Sequence, residues 1–146
     1  MARNYTVSTK INRPVADVFD AVVSRKRMSG YFTDSSSGDL VAGERVVWTW
    51  DQWGDHPVVV KSVEDNRRIE LTLDSRDWQK TTEDAYDVRV IFEFEATDDG
   101  GTRLSISEEG WRTDPEGLKG SHDNCGGWMH MAMCLKAHLE HGIDLR

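Results

Sequence analysis

The stretch SHDNCGGWMHMAMCLKAHLEH, from Ser121 to His141, holds the longest helical pattern in the chain. At about 100° per residue, Trp128, Met131, Ala132, Leu135 and Leu139 share one side, while Lys136 and Glu140 fall on a flank away from it. Such a stripe has to be buried, and the chain ahead of it supplies sheet. Leu104 and Ile106 alternate with polar residues, as do Val88, Val90, Phe92 and Phe94. Between these runs, Asp98-Asp99-Gly100-Gly101 is turn chemistry, so the two form a long hairpin. Further back, Ile69, Leu71 and Leu73 make a strand behind the Asp65-Asn66 turn, Val58 and Val60 another, and Val46, Trp48 and Trp50 share one face of a third. Tyr5, Val7, Thr9 and Ile11 begin the chain with a strand. Asn12-Arg13-Pro14 then offers an N-cap and an early proline to a helix whose stripe is Val15, Val18, Phe19 and Val22, and a short helical turn carries Met28 toward Tyr31 and Phe32. Ser35-Ser36-Ser37-Gly38 and the segment Arg112 to Gly120 read as loops. The expected class is α+β: a curved antiparallel sheet of about six strands on a long C-terminal helix, with one or two short helices after the first strand.

The 146 residues suit one domain, 1–146, with no repeat or linker to divide them. With 38% hydrophobic and 30% charged residues, the chain is too apolar to be disordered and too polar for a membrane protein. Twenty-six acidic against 18 basic residues give a net charge of −8, which disfavours nucleic acid and anionic membrane surfaces. No apolar run suits a signal peptide or a span, and Cys125 and Cys134 cannot make a disulfide framework, so a cytoplasmic location is expected. Gly-rich phosphate loops, His-Glu-x-x-His and Cys-x-x-Cys do not occur, and no nucleotide, metal or redox cofactor is expected.

Four groups of residues invite a chemical reading. Six tryptophans, Trp48, Trp50, Trp53, Trp78, Trp111 and Trp128, exceed what a core of this size needs, and they fit either core packing or an aromatic pocket. Strict alternation from Leu104 and Ile106 brings Glu108 to the inner face, where an unpaired carboxylate is costly. The alternative is a bulge near Gly110 that turns it outward. His130, Cys134, His138 and His141 follow helical spacing with zinc-ligand residue types, although histidines late in a helix also suit its C-terminal dipole. Asp51, Asp55 and His56 cluster in a turn with Trp53 and Gly54, as acid–base residues or as turn residues.

The chain resembles the START-like superfamily of helix-grip domains, in particular the branch homologous to the C-terminal domain of the heat-shock-protein-90 ATPase activator. The resemblance covers nearly the whole chain. It is carried by Ile11-Asn12-Arg13-Pro14 with Val18-Phe19-Asp20-Ala21 and Tyr31-Phe32; by Gly43 with Val46 to Trp50; by Leu104 to Trp111; and by Trp128 with Leu135 to Gly142. Tyr31-Phe32 replaces the family's usual Trp-Phe, and Glu108 stands where histidine is frequent. The resemblance implies a cavity between curved sheet and terminal helix, used across the superfamily for lipids, hormones, polyketides and aromatic compounds.

The expected site is therefore a non-catalytic cavity for a small hydrophobic or amphipathic molecule, lined by Phe32, Trp48, Trp50, Phe92, Trp111, Trp128 and Met131, with Glu108 as polar anchor. Two alternatives stay open: a surface contact with a chaperone, and an enzyme of the same fold, such as a cyclase or hydrolase, with Glu108 or Asp51 as base. Met129 and Met133 are expected at the surface or edge, and oligomeric state is left open.

Overall fold

The computed structural model describes residues 2–79 and 84–146. The first strand, β1 (Arg3–Ile11), leads into α1 (Val15–Val23) and the single turn α2 (Arg25–Met28). The strands β2 (Ser35–Ser36), β3 (Arg45–Trp50), β4 (Gly54–Glu64) and β5 (Arg68–Asp74) follow, then the short helix α3 (Ser75–Gln79). The hairpin β6 (Asp87–Ala96) and β7 (Thr102–Glu109) precedes the closing helix α4 (Pro115–His141). All neighbouring strands are antiparallel, in the spatial order β1-β7-β6-β5-β4-β3-β2, and the curved sheet does not close. This is the expected α+β helix-grip architecture.

Seven strands form where about six were expected, because Ser35 and Ser36 pair with Thr49 and Trp48 instead of lying in a loop. Ser37 fixes that edge: its amide donates to the Val47 carbonyl and its hydroxyl accepts from the Val47 amide. Asn12 does not cap α1. Pro14 holds the N-cap position and its carbonyl takes the first helical amides, while the Asn12 amide donates to Glu140 across the fold. Asn66 adopts φ 61° in the β4–β5 turn, the left-handed conformation asparagine tolerates.

The largest correction concerns α4. It begins at Pro115, so most of the expected loop Arg112 to Gly120 is helix. Asp114 supplies the start by accepting from the Gly117 amide at 2.8 Å, with proline at the first helical position. The two glycines that read as loop residues serve close packing. A Cβ on Gly117 would stand 2.2 Å from the Arg112 carbonyl oxygen, and one on Gly120 would stand 2.6 Å from the Trp111 ring. The helix ends at Gly142, in the left-handed conformation at φ 66°.

The inner sheet face is largely apolar, with Val46, Trp48, Val60, Leu71, Val90, Phe92 and Ile106 all buried against the stripe Trp128, Met131, Ala132 and Leu135 of α4. Tyr31 is fully buried and donates its hydroxyl to the Ala21 carbonyl, tying α1 to the segment that carries Phe32. The outer face bears charge. Arg89 reaches Glu109 at 2.6 Å and Glu70 at 2.9 Å, Arg68 shares Glu70, and Arg3 pairs with Glu93, so ion pairs run across β1, β7, β6 and β5. Among the described residues, no helix is long and apolar enough to cross a membrane.

Candidate functional site

Glu108 lies on the inner face of β7 and is wholly buried. The irregularity near it falls on the partner strand, between Arg3 and Tyr5 of β1, so β7 keeps its alternation through Glu108 and the inward alternative holds. Three donors meet the carboxyl group. Oε1 accepts from the Trp111 indole at 2.7 Å; Oε2 accepts from the Trp128 indole at 2.8 Å and from the Asn124 amide at 2.9 Å. Burial pushes the Glu108 pKa above the ordinary carboxylate value, and donors from Tyr5, Trp128, Trp111 and Asn124 draw it partly back. The Tyr5 hydroxyl is buried close by, outside ordinary hydrogen-bond geometry. In turn, burial and the Glu108 charge push the Tyr5 phenol far above its usual range.

Beside this buried node a cleft of about 500 Å³ opens between α4, α3 and the β3–β4 turn. Phe32, Trp50, Trp53, Trp78 and Trp128 form its walls, with Gln79, Asn124, His56, Asp123 and His130 as polar lining. Each element contributes for a local reason. Trp50 ends β3 on the face of Val46 and Trp48. Asp74 accepts from the Arg76 amide at the head of α3, and that one helical turn lifts Trp78 over the sheet. Asn124 precedes Trp128 by one turn of α4, so both face inward. The Gln79 amide donates to the Asn124 carbonyl oxygen, which links the cleft lining to Glu108 through one side chain.

The rings meet mostly edge to face: Phe32 with Trp50 at 4.9 Å, Trp50 with Trp78 at 6.3 Å and His56 with Trp78 at 5.2 Å between centroids. Trp78 and Trp128 stack at 5.8 Å. The indole N–H groups are engaged elsewhere, Trp50 on the Phe32 carbonyl, Trp78 on the Pro57 carbonyl and Trp128 on Glu108.

Of the residues read from sequence, Phe32, Trp50 and Trp128 line this cleft. Trp48 and Phe92 stand directly behind them, at 6.1 and 5.4 Å from Trp128, and Met131 is buried further along α4. Trp111 lies on the far side of Glu108, lining a second space of about 880 Å³. That space is bordered largely by polar residues of β1 and the start of α4, including Asn4, Asp114 and Ser121. Asp51, Asp55 and His56 do not form one cluster. The turn is residues 51–53, whereas Asp55 and His56 are on β4, where adjacent side chains point to opposite faces. Asp55 accepts from the Thr49 hydroxyl, and His56 packs its ring on Trp50 and Trp78. Along α4, His130 approaches Cys134 at 3.5 Å, but His138 packs on Tyr31. Among the described residues, no group of three or more His, Cys, Asp or Glu is arranged to hold a metal ion.

The sequence reading did not place Trp53, Trp78, Gln79 or Asn124 in the cleft. Asp74-Ser75 ahead of Trp78 was a usable helix-start signal, and Asn124 one turn before Trp128 was a polar residue in an apolar stripe.

Comparison with known proteins places this geometry in a family. The family model described as "Activator of Hsp90 ATPase homolog 1-like protein" matches residues 12–140. The chain belongs to that family. No curated protein matches the chain. Among solved structures, this homologue of the Hsp90 ATPase activator is similar to SSP2350 from Staphylococcus saprophyticus, with 25% identity, TM-score 0.76, and coverage of 97% of this chain and 96% of the other. It is also similar to the Aha1 dimer from Colwellia psychrerythraea, with 16% identity, TM-score 0.78, and coverage of 97% and 98%. DynU16, from the dynemicin biosynthetic locus, shares 16% identity with TM-score 0.76 over 94% of this chain and 47% of its own. At the lower identities the likeness concerns the fold.

Proposed function

We propose that this chain binds a small hydrophobic or amphipathic molecule in the aromatic cleft between the sheet, α3 and α4, and does so without catalysing a reaction. The observation that carries the reading is the cleft itself. Its volume, about 500 Å³, lies within the range of roughly 300–1,000 Å³ usual for small-molecule sites, and its walls are aromatic with a few polar groups at one side. Glu108 acts here as a buried anchor for the wall: its two oxygens accept from the side chains of Trp111, Trp128 and Asn124 and so position them. A carboxyl so fully engaged is poorly placed to take a substrate proton, which favours binding over turnover. The free thiols Cys125 and Cys134 suit a cytoplasmic setting for this role.

The test is titration of the purified protein with a panel of apolar and aromatic compounds, read by tryptophan fluorescence and by melting temperature, since a ligand of the native state raises it. A saturable hit lost in Trp78→Ala supports the reading. A panel with no saturable hit overturns it. Family membership and the net charge of −8 favour a second reading, a surface contact with a basic patch on heat-shock protein 90. In a pull-down at low and physiological salt, absence of a complex at both would remove that reading.

A further inference from the structure

We infer that the preferred ligand of the cleft is an organic cation, a quaternary or alkylated ammonium group carried on an apolar body. The inference rests on the cleft being a ligand site and adds the charge of what enters it.

Three observations converge. The first is the orientation of the indoles. Trp50, Trp78 and Trp128 all spend their N–H on oxygens of the protein itself, so these rings offer carbon surface to a guest and no free hydrogen-bond donor. An indole that donates to an oxygen is also more electron-rich over its face, and that face attracts a cation. The second is ring disposition. Phe32 and Trp50 meet at 77° and Trp50 and Trp78 at 82°, so Trp50 stands nearly at right angles to two other rings of the wall, and a guest would meet ring surfaces from more than one direction, as in cages that enclose an ammonium group. Trp53 extends the wall to the mouth, where it is 62% exposed.

The third is charge. The lining contains no lysine or arginine among the described residues, and it contains the carboxylate of Asp123. Lys119 engages one oxygen of Asp123, but this is a surface pair four residues apart, with both side chains largely in water, and it leaves the carboxylate open to a second partner. His56 and His130 complete the polar side of the lining. The two amides of the lining are turned into the protein's own network, Gln79 donating to Asn124 and Asn124 to Glu108. The net charge of −8 adds a long-range field of the right sign.

The decisive comparison uses two guests of one shape, phenyltrimethylammonium chloride and tert-butylbenzene, in which carbon replaces the charged nitrogen. Binding is measured by calorimetry and tryptophan fluorescence on the full chain at pH 7.5. The cation is expected to bind roughly tenfold more tightly than its neutral counterpart. Trp53→Ala, at an exposed position that leaves folding intact, should weaken the cation by several-fold and the hydrocarbon less. If the neutral guest binds as well as the cation or better, the cation preference is overturned while the cleft remains a ligand site. If neither guest nor any compound of the apolar panel saturates, both readings fall.

Discussion

The indole N–H of Trp128 donates to Oε2 of Glu108 at 2.8 Å, so the first residue of the apolar stripe of α4 is fixed to the last inward position of β7. Helix and sheet are held there by a polar contact set in an apolar interior. Its worth depends on every donor around the carboxyl group being answered.

Removing that acceptor should be costly. Glu108→Leu leaves two indole N–H groups and one amide buried without partners, and unfolding in urea should show a loss of about 3–5 kcal/mol. Glu108→Gln should lose less, about 1–3 kcal/mol, because whichever way its amide turns, the NH2 meets a donor. A variant as stable as the parent would show that the three hydrogen bonds do not act together.

The pH dependence of that pair has a definite sign. Burial raises the Glu108 pKa in the folded protein, so the folded state holds this proton more tightly than the unfolded one. Its contribution to stability is full below the unfolded value of 4.5 and is lost as pH rises through the raised folded value. The stability advantage of the parent over Glu108→Gln should therefore narrow between acid and neutral pH, as read by urea midpoints across that range.

Glu70 behaves in the opposite way. Its hydrogen bond from Arg89 holds the carboxyl below the ordinary value of 4.5, although burial opposes it. The stability it adds is present above that value and disappears as pH falls through the lowered folded pKa. Arg89→Met should flatten this acid limb and, at neutral pH, cost about 1 kcal/mol or less in added salt, since the pairs are partly exposed. An unchanged acid limb would mean that Arg68 alone holds Glu70.

Glycine substitutions in α4 should divide by position. Gly117→Ala forces a methyl group into the Arg112 carbonyl and should destabilise by about 1–3 kcal/mol. Gly126→Ala meets nothing within 4 Å and should stabilise by about 1 kcal/mol through helix propensity. Thermal unfolding of the two variants checks both signs at once.

Trp53→Ala separates binding from folding. The side chain is 62% exposed, so stability should change by no more than about 0.5 kcal/mol, while affinity for a cleft ligand falls. A matched loss of both would place Trp53 in the folding core instead.

Much of this architecture was legible in the residues because burial enforces period. Val46, Trp48 and Trp50 could share a face only as a strand, and Trp128, Met131 and Leu135 only as a helix. For Glu108 the same alternation left two readings, inward or turned out by a bulge near Gly110, and the irregularity that decides it lies on β1. What escaped was set by contacts far apart in sequence. Gly117 and Gly120 look like loop residues until Arg112 and Trp111 are seen pressed against them, and Ser35-Ser36 becomes a strand only because Val47 offers its backbone to Ser37. The cleft was half legible. Phe32, Trp50 and Trp128 were accessible from pattern and resemblance, whereas Trp78 sits in a helix of five residues, too short to show a period.

Crowding so many indoles together has an optical consequence. Trp48, Trp50, Trp78 and Trp128 lie within 6.5 Å of one another wherever their rings meet, and Trp53 approaches Trp50 at 6.3 Å. Transition dipoles this close couple strongly, since their interaction falls with the cube of separation. Excitation absorbed by the buried rings can migrate among them before it is emitted, and circular dichroism should carry an exciton couplet from the edge-to-face pairs. The cluster therefore works as a single antenna that a guest touching any one wall can quench, with Trp111, beyond Glu108, emitting apart from it.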